Sequence, residues 1–268
     1  ISFQKRNLLV TMARSSRDVV RSVLSRLQLA DSLSQLTWLR VNDALADAPN
    51  LDQATTPEQM DFLNTELEKC LTRVFRFFDT KAKALAESDP ESKELASPRL
   101  ELLLHPPVYT CEQAANMCPK PVMNGGETLA MKNLFLRDKK KRFFLVSACV
   151  DTEIKLKEVK FAKQVGFASG EALMEKLNLV AGSVTPFGLL NDGPGETTKA
   201  SEGSNVEEVI RSPSVEFHLD PRVVASPDTT VVDFHPNACH ATICMHANDF
   251  VEFIEKETGH QVNVLDLE

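Results

Sequence analysis

At 268 residues and 29.8 kDa, with 43% apolar and 25% charged residues and a mean hydropathy of −0.18, the chain has the composition of a folded protein of one or two domains. Wholesale disorder, collagen and coiled coil are excluded; the apolar runs fall far short of the ~20 residues of a membrane span, and Ile1-Ser2-Phe3-Gln4-Lys5-Arg6 shows no signal-peptide core. The net charge of −8 argues against indiscriminate polyanion binding, but it is unevenly spread: residues 132–163 carry ten basic and four acidic side chains, residues 164–268 five and 17. The basic stretch is a local phosphate-attracting patch or, more blandly, a lysine-rich turn and a solvated helix face.

In chain order, Met12 offers a second plausible start, so residues 1–11 are set aside. Helices come first. Ser16 can cap a segment with Val19, Val20, Val23, Leu24 and Leu27 on one face, and Asp31 can open another with Leu33, Leu36, Leu39 and Leu45. A third is predicted from Thr56-Pro57-Glu58, where a hydroxyl cap, an N1 proline and an acidic first turn coincide, through Phe62, Leu63, Leu67, Leu71, Val74, Phe75 and Phe78. Ser88-Asp89-Pro90-Glu91-Ser92 breaks the pattern, dividing a helical region, 12–95, from a second domain, 96–268.

From about residue 99 short strands take over, at 102–104, 134–136, 143–146, 215–219, 231–234 and 241–244, with helices expected at 110–118, 155–164, 170–178 and 248–258, the last closed by Gly259. Hairpin-like pairing of 132–137 with 142–149 points to an α+β fold with a mixed, mainly antiparallel sheet surrounded by helices and preceded by an all-helical N-terminal region. Residues 193–214 contain little that could bury a core and read as a mobile insertion. The six cysteines are too sparse for a disulfide scaffold, so a reducing, cytoplasmic setting is expected.

There is no Gly-x-x-x-x-Gly-Lys-Ser/Thr loop, no Gly-x-Gly-x-x-Gly after a strand and no Gly-x-Ser-x-Gly elbow, which weakens nucleotide hydrolysis, dinucleotide chemistry and the common serine hydrolase arrangement. His235, Cys239, His240, Cys244 and His246 supply metal-ligand types without ligand spacing, and no metal site is expected. Three segments look unlike scaffolding. His105-Pro106-Pro107-Val108-Tyr109-Thr110 ends a strand with two prolines; Gly182-Ser183-Val184-Thr185-Pro186-Phe187-Gly188 gathers hydroxyls and turn residues; Phe234-His235-Pro236-Asn237 puts an imidazole at a strand end. Each alone has a structural reading as a strand stop, a turn or a hydrogen-bonded histidine.

Together with Met131-Lys132-Asn133-Leu134-Phe135-Leu136-Arg137-Asp138-Lys139-Lys140, Ala241-Thr242 and Thr258-Gly259-His260, these segments resemble the prolyl-tRNA-synthetase-associated editing domains, the YbaK-type aminoacyl-tRNA deacylases, over roughly residues 99–268. The Lys-Asn-Leu-Phe-Leu and Phe-His-Pro-Asn segments are closer to the branch that clears alanine from proline tRNA than to the branch that clears cysteine. The resemblance implies a trans-editing hydrolase of Ala-tRNA(Pro), with Cys-tRNA(Pro) deacylation or a non-catalytic tRNA-binding assembly module as rivals. It implies Lys132 as principal functional residue, His235 at the site, and the Gly182 to Pro186 loop at the aminoacyl pocket, and no metal or other cofactor. With Asn133, Ser183, Val184, Thr185 and Phe187 around that pocket, the turn Lys139-Lys140-Lys141-Arg142 is expected on the tRNA backbone. Partners expected are the aminoacylated acceptor end of tRNA and prolyl-tRNA synthetase or a multi-synthetase complex, with no membrane; the N-terminal helices either present an exposed face around Phe75, Phe77 and Phe78 to such a complex or simply cover the sheet. The chemistry suits such a set: an aminoacyl ester is already activated, so orienting water and stabilising the oxyanion suffice.

Overall fold

The computed structural model describes residues 14–29, 36–48, 55–89, 98–117, 123, 128–193 and 212–266. Strands β1 (Leu39–Asn42), β2 (Leu100–Leu104), β3 (Thr128–Arg137), β4 (Phe143–Cys149), β5 (Gly166–Phe167), β6 (Val215–Leu219), β7 (Val231–Phe234), β8 (Ala241–His246) and β9 (Val262–Val264) form one sheet in the order β1-β2-β8-β7-β3-β4-β6-β9, with β5 paired to β3. The helices are α1 (Ser16–Arg26), α2 (Pro57–Ser88), α3 (Cys111–Met117), α4 (Gly170–Leu177), α5 (Pro221–Ala225) and α6 (Ala247–Phe253). The α+β class stands, and the sheet is mixed: β2–β8, β7–β8, β3–β4 and β3–β5 run antiparallel, while β1–β2, β3–β7, β4–β6 and β6–β9 run parallel. The parallel share exceeds what the hairpin-like pairs suggested, because parallel partners such as β3 and β7 are far apart in sequence and leave no local turn signal.

Local chemistry sets the helix ends. Ser15, one residue before the expected Ser16, caps α1 and exchanges hydrogen bonds with Asp18. Thr56 caps α2 with Gln59 closing the box, and Pro57 fills the first helical position, as its sequence dictates. One face of α2 then carries Leu63, Leu67, Leu71, Val74, Phe75 and Phe78 into the principal core. Gly259, with φ at 71°, ends the helical run that starts with α6.

Two predicted helices are corrected. Leu36 and Leu39 do not continue a helix from Asp31: Leu39–Asn42 is β1, in parallel register with Leu100–Leu103, and Trp38 stacks on Phe78 with ring centroids 6.0 Å apart. Its residues pair with a distant strand, and that tertiary pairing overrides the leucine spacing. Residues 31–35 lie outside the described residues. Residues 155–164 form turns rather than a helix, and Ile154, Leu156 and Phe161 fold onto Leu136, Phe144 and Val146 as a small second core. Among the described residues the N-terminal region holds α1, β1, a turn at 44–47 and α2, and β1 joins it to the sheet.

The face around Phe75, Phe77 and Phe78 is not exposed. All three are buried, and Phe77 meets Phe253 edge-on at 5.5 Å. α2 covers the sheet. The join is reinforced by Asp249, fully buried, which takes both Arg99 (2.8 Å) and Lys81 of α2 (2.7 Å). Of the 193–214 insertion, residues 194–211 lie outside the described residues; at its near ends Asp192 accepts from the Ser214 and Val215 amides, each at 2.8 Å.

Among the described residues no helix is long and apolar enough to cross a membrane.

Candidate functional site

Consecutive residues of an extended strand face opposite ways, so Lys132 and Asn133 of β3 leave on opposite faces. Asn133 is a clamp. Its amide donates to the Val184 carbonyl at 3.0 Å, and its carbonyl oxygen accepts from the Ser147 hydroxyl of β4 at 2.6 Å. The loop Gly182 to Phe187 is thereby tied to the sheet. Lys132 shares the Ala130 face, and its ammonium donates to the main-chain carbonyls of Val150 (3.0 Å) and Thr152 (2.5 Å), just past the end of β4. Both partners are neutral, and the structure does not bring the ammonium within hydrogen-bond reach of the loop.

The turn that holds Lys132 is itself held. Asp220, fully buried, accepts from the Cys149 amide (3.0 Å) and the Thr152 hydroxyl (2.6 Å) and is paired with Arg222, which also clamps Asp151. Burial opposes the charge on Asp220, yet these donors outweigh it and pull its carboxyl down to about 2.

His235 follows β7. The parallel register of β3 on β7 runs from Thr128↔Val231 to Ala130↔Asp233 and ends there, two residues short of Lys132 and His235. The His235 ring bonds through Nδ1 to the Ala241 carbonyl at 3.0 Å, so Nδ1 carries the proton and Nε2 presents a lone pair. Burial lowers its pKa and keeps it neutral near pH 7. His105 lies 6.2 Å away between ring centroids, donates from Nδ1 to Pro106 O (2.8 Å) and accepts at Nε2 from the Thr242 hydroxyl (3.0 Å); burial pushes it down to about 4. The site is thus rich in imidazoles that stay uncharged.

In the loop, Gly182 has φ at +88°, and a Cβ there would sit 2.7 Å from Tyr109 Cδ1, so both backbone and neighbour require glycine. Ser183 donates to the Val180 carbonyl (3.0 Å), while the Thr185 hydroxyl accepts from the Phe187 amide (3.4 Å), turning both side chains inward. Pro186 is buried too, and Phe187, expected as a pocket wall, is a correction: it is fully buried among Phe234, Phe250 and Phe253 and supports the loop from beneath. Gly182 and Val184 keep exposed surface.

The basic turn follows the C-terminal end of β3, which lies five residues or ~17 Å from Lys132 at mid-strand. Lys139, Lys140 and Lys141 are exposed; Arg142 is engaged, bonded to Asp138 at 2.8 Å and stacked over Phe144. Of the cysteines and histidines weighed as ligands, Cys239 and His240 are buried beside the imidazoles and Cys244 belongs to a small core with Leu103 and Val231.

Two residues escaped the sequence reasoning. Asp233 interrupts the apolar run of β7, a signal that was readable; its carboxylate accepts from the Met131 amide at 3.2 Å, and burial raises it to about 6. Phe167 of β5 is 69% exposed where β5 pairs with Leu136 and Arg137 beside the basic turn, and a two-residue strand gives no sequence signal.

The fold and site define an α+β domain whose sequence profile is that of the aminoacyl-tRNA editing domain, matched over residues 105–253. The chain belongs to that family. It is 32% identical over 178 residues to prolyl-tRNA synthetase associated domain-containing protein 1 of Bos taurus, covering 63% of this chain and 88% of that protein. It is also 32% identical over 170 residues to the prolyl-tRNA editing protein ProX of Acetoanaerobium sticklandii, covering 62% and 87%.

Proposed function

We propose that the chain is an aminoacyl-tRNA deacylase that removes alanine from mischarged proline tRNA. The observation that carries this reading is the editing-family match over residues 105–253, which takes in Lys132, the Asn133-clamped loop and His235. The relatives named for prolyl-tRNA editing and association support proline tRNA as the carrier.

In this reading water adds to the ester carbonyl, the carbonyl–ribose bond breaks, and alanine leaves as its acid while the ribose oxygen takes a proton. His235 Nε2 orients the water. Lys132 contacts the terminal phosphate or the developing oxyanion, and to do so it gives up two bonds to neutral carbonyls, each worth about 0.5–1.5 kcal/mol. The 182–186 loop, fixed by Asn133, borders the alanine methyl through Val184.

Selectivity follows from size. A synthetase pocket built for proline rejects alanine weakly, since a missing methylene is worth about 1–3 kcal/mol, and a second, smaller sieve that proline cannot enter repairs the error. Lys139, Lys140 and Lys141 take the acceptor-stem phosphates, and exposed Phe167 beside them offers a face on which an unpaired base stacks.

The test is ester hydrolysis of Ala-, Cys- and Pro-tRNA(Pro) by the full chain. Rapid loss of alanine with Pro-tRNA(Pro) intact is expected. Preferential loss of cysteine would transfer the chain to the other branch, and three stable esters would remove the enzyme reading in favour of a binding module.

A further inference from the structure

Residues 14–89 precede the family match, yet α2 and the residues leading into it touch the site at two points. The Thr55 hydroxyl bonds to the Tyr109 hydroxyl, and the Tyr109 ring is the surface that lies against Gly182. About two turns into α2, Asn64 is 2% exposed, and its side-chain oxygen accepts from His240 Nε2 at 3.0 Å while its amide donates to the Arg14 carbonyl at 2.5 Å. His240 is also buried; burial first, then the neighbouring His105 and His235, holds it down to about 3. With Nε2 committed to Asn64, its Nδ1 is buried without a hydrogen-bond partner among the described residues, as is Asn237 Oδ1 in the same turn.

Asn64 sits beside Leu63 and near Leu67 on the buried face of α2, where an apolar residue would pack without the cost of burying an amide. A polar group in that position earns its place by fixing an orientation. We propose that α2 is a working part of the editing site, with Thr55 and Asn64 as positioning residues: Thr55 sets the Tyr109 ring against the Gly182 bend, and Asn64 sets the His240 ring and through it the spacing of His105 and His235. The proposal rests on the deacylase reading for its kinetic arm and stands apart from it in its spectroscopic arm.

The experiment compares the full chain with Asn64→Leu and Thr55→Val, by steady-state deacylation of Ala-tRNA(Pro) and by NMR of the imidazole nitrogens. The expected result for each variant is a kcat lowered by about tenfold or more, as for a slightly misplaced reacting group, with KM little changed because the phosphate contacts are remote from α2. Asn64→Leu is also expected to shift the His105 and His235 signals, which residue 64 does not touch. A kcat and KM within twofold of wild type in both folded variants, or unmoved His105 and His235 signals in Asn64→Leu, would overturn the proposal. Should Asn64→Leu fail to fold, Asn64→Ala takes its place, with the same lowered kcat and shifted His105 and His235 signals expected; their absence counts against the proposal. If wild type itself leaves Ala-tRNA(Pro) intact, the deacylase reading falls and the imidazole shifts alone decide this one.

Discussion

Asn133 and Lys132 show how one peptide step separates two jobs: the first is satisfied on both ends of its amide, whereas the second carries a charge that only neutral carbonyls meet. The same scale governs the histidines. His218, on β6, stacks on Phe161 at 4.2 Å, and burial pushes its pKa down to about 4. Glu216 lies 3.8 Å from it, but that contact is an ion pair only if the imidazole is charged, which burial opposes. Between about pH 6.5 and 4 the unfolded chain binds a proton that folded His218 refuses, so stability falls on acidification by about 1.4 kcal/mol per pH unit for this group. His105 and His240 act in the same direction; Asp233, raised to about 6, acts in the opposite one, its contribution being lost as pH rises through about 6. Denaturant titrations across this range are expected to show a shallower acid slope for His218→Phe than for wild type; equal slopes would contradict the assignment.

At the scale of elements, the legible parts were those whose instructions are local. The Thr56-Pro57-Glu58 start of α2, the β3–β4 hairpin closed by Asp138 to Arg142, and the Gly259 stop could all be read because cap, turn and periodicity lie within a few residues. β1 could not, because its leucines mimic a helical face and its partner β2 is some sixty residues away. The burial of Phe75, Phe77 and Phe78 decides for the second of the two readings open to that face, and Trp38 beside β1 supplies the ring against Phe75 and Phe78. Trp38→Ala, emptying a site 5% exposed between α2 and the sheet, is expected to cost about 3–5 kcal/mol in denaturant unfolding; a loss under 1 kcal/mol would mean that α2 is not cemented there. Of the candidate site, the segments were legible and the directions were not: Phe187 looked like a wall and is a floor, and Phe167, with no pattern around it, is the exposed aromatic. Phe167→Ala is expected to raise KM for charged tRNA about 5- to 100-fold at unchanged kcat, the value of one stacked base; no change in KM would remove Phe167 from the tRNA surface.

For the whole molecule, a chain of net charge −8 gathers basic side chains along β3 and just beyond it: Lys132 at mid-strand, Lys139 to Lys141 in the turn that follows. α2 and the residues leading into it join Asn64 to His240 and Thr55 to Tyr109 beside the glycine bend. The central claim is that this surface hydrolyses an alanyl ester with the help of one ammonium. Single-turnover release of alanine from Ala-tRNA(Pro), measured side by side for the full chain and for Lys132→Ala with an unchanged unfolding midpoint, tests it most directly. Rapid release by the wild type and a loss of at least about 100-fold in the variant are predicted; equal rates in the two proteins would contradict it.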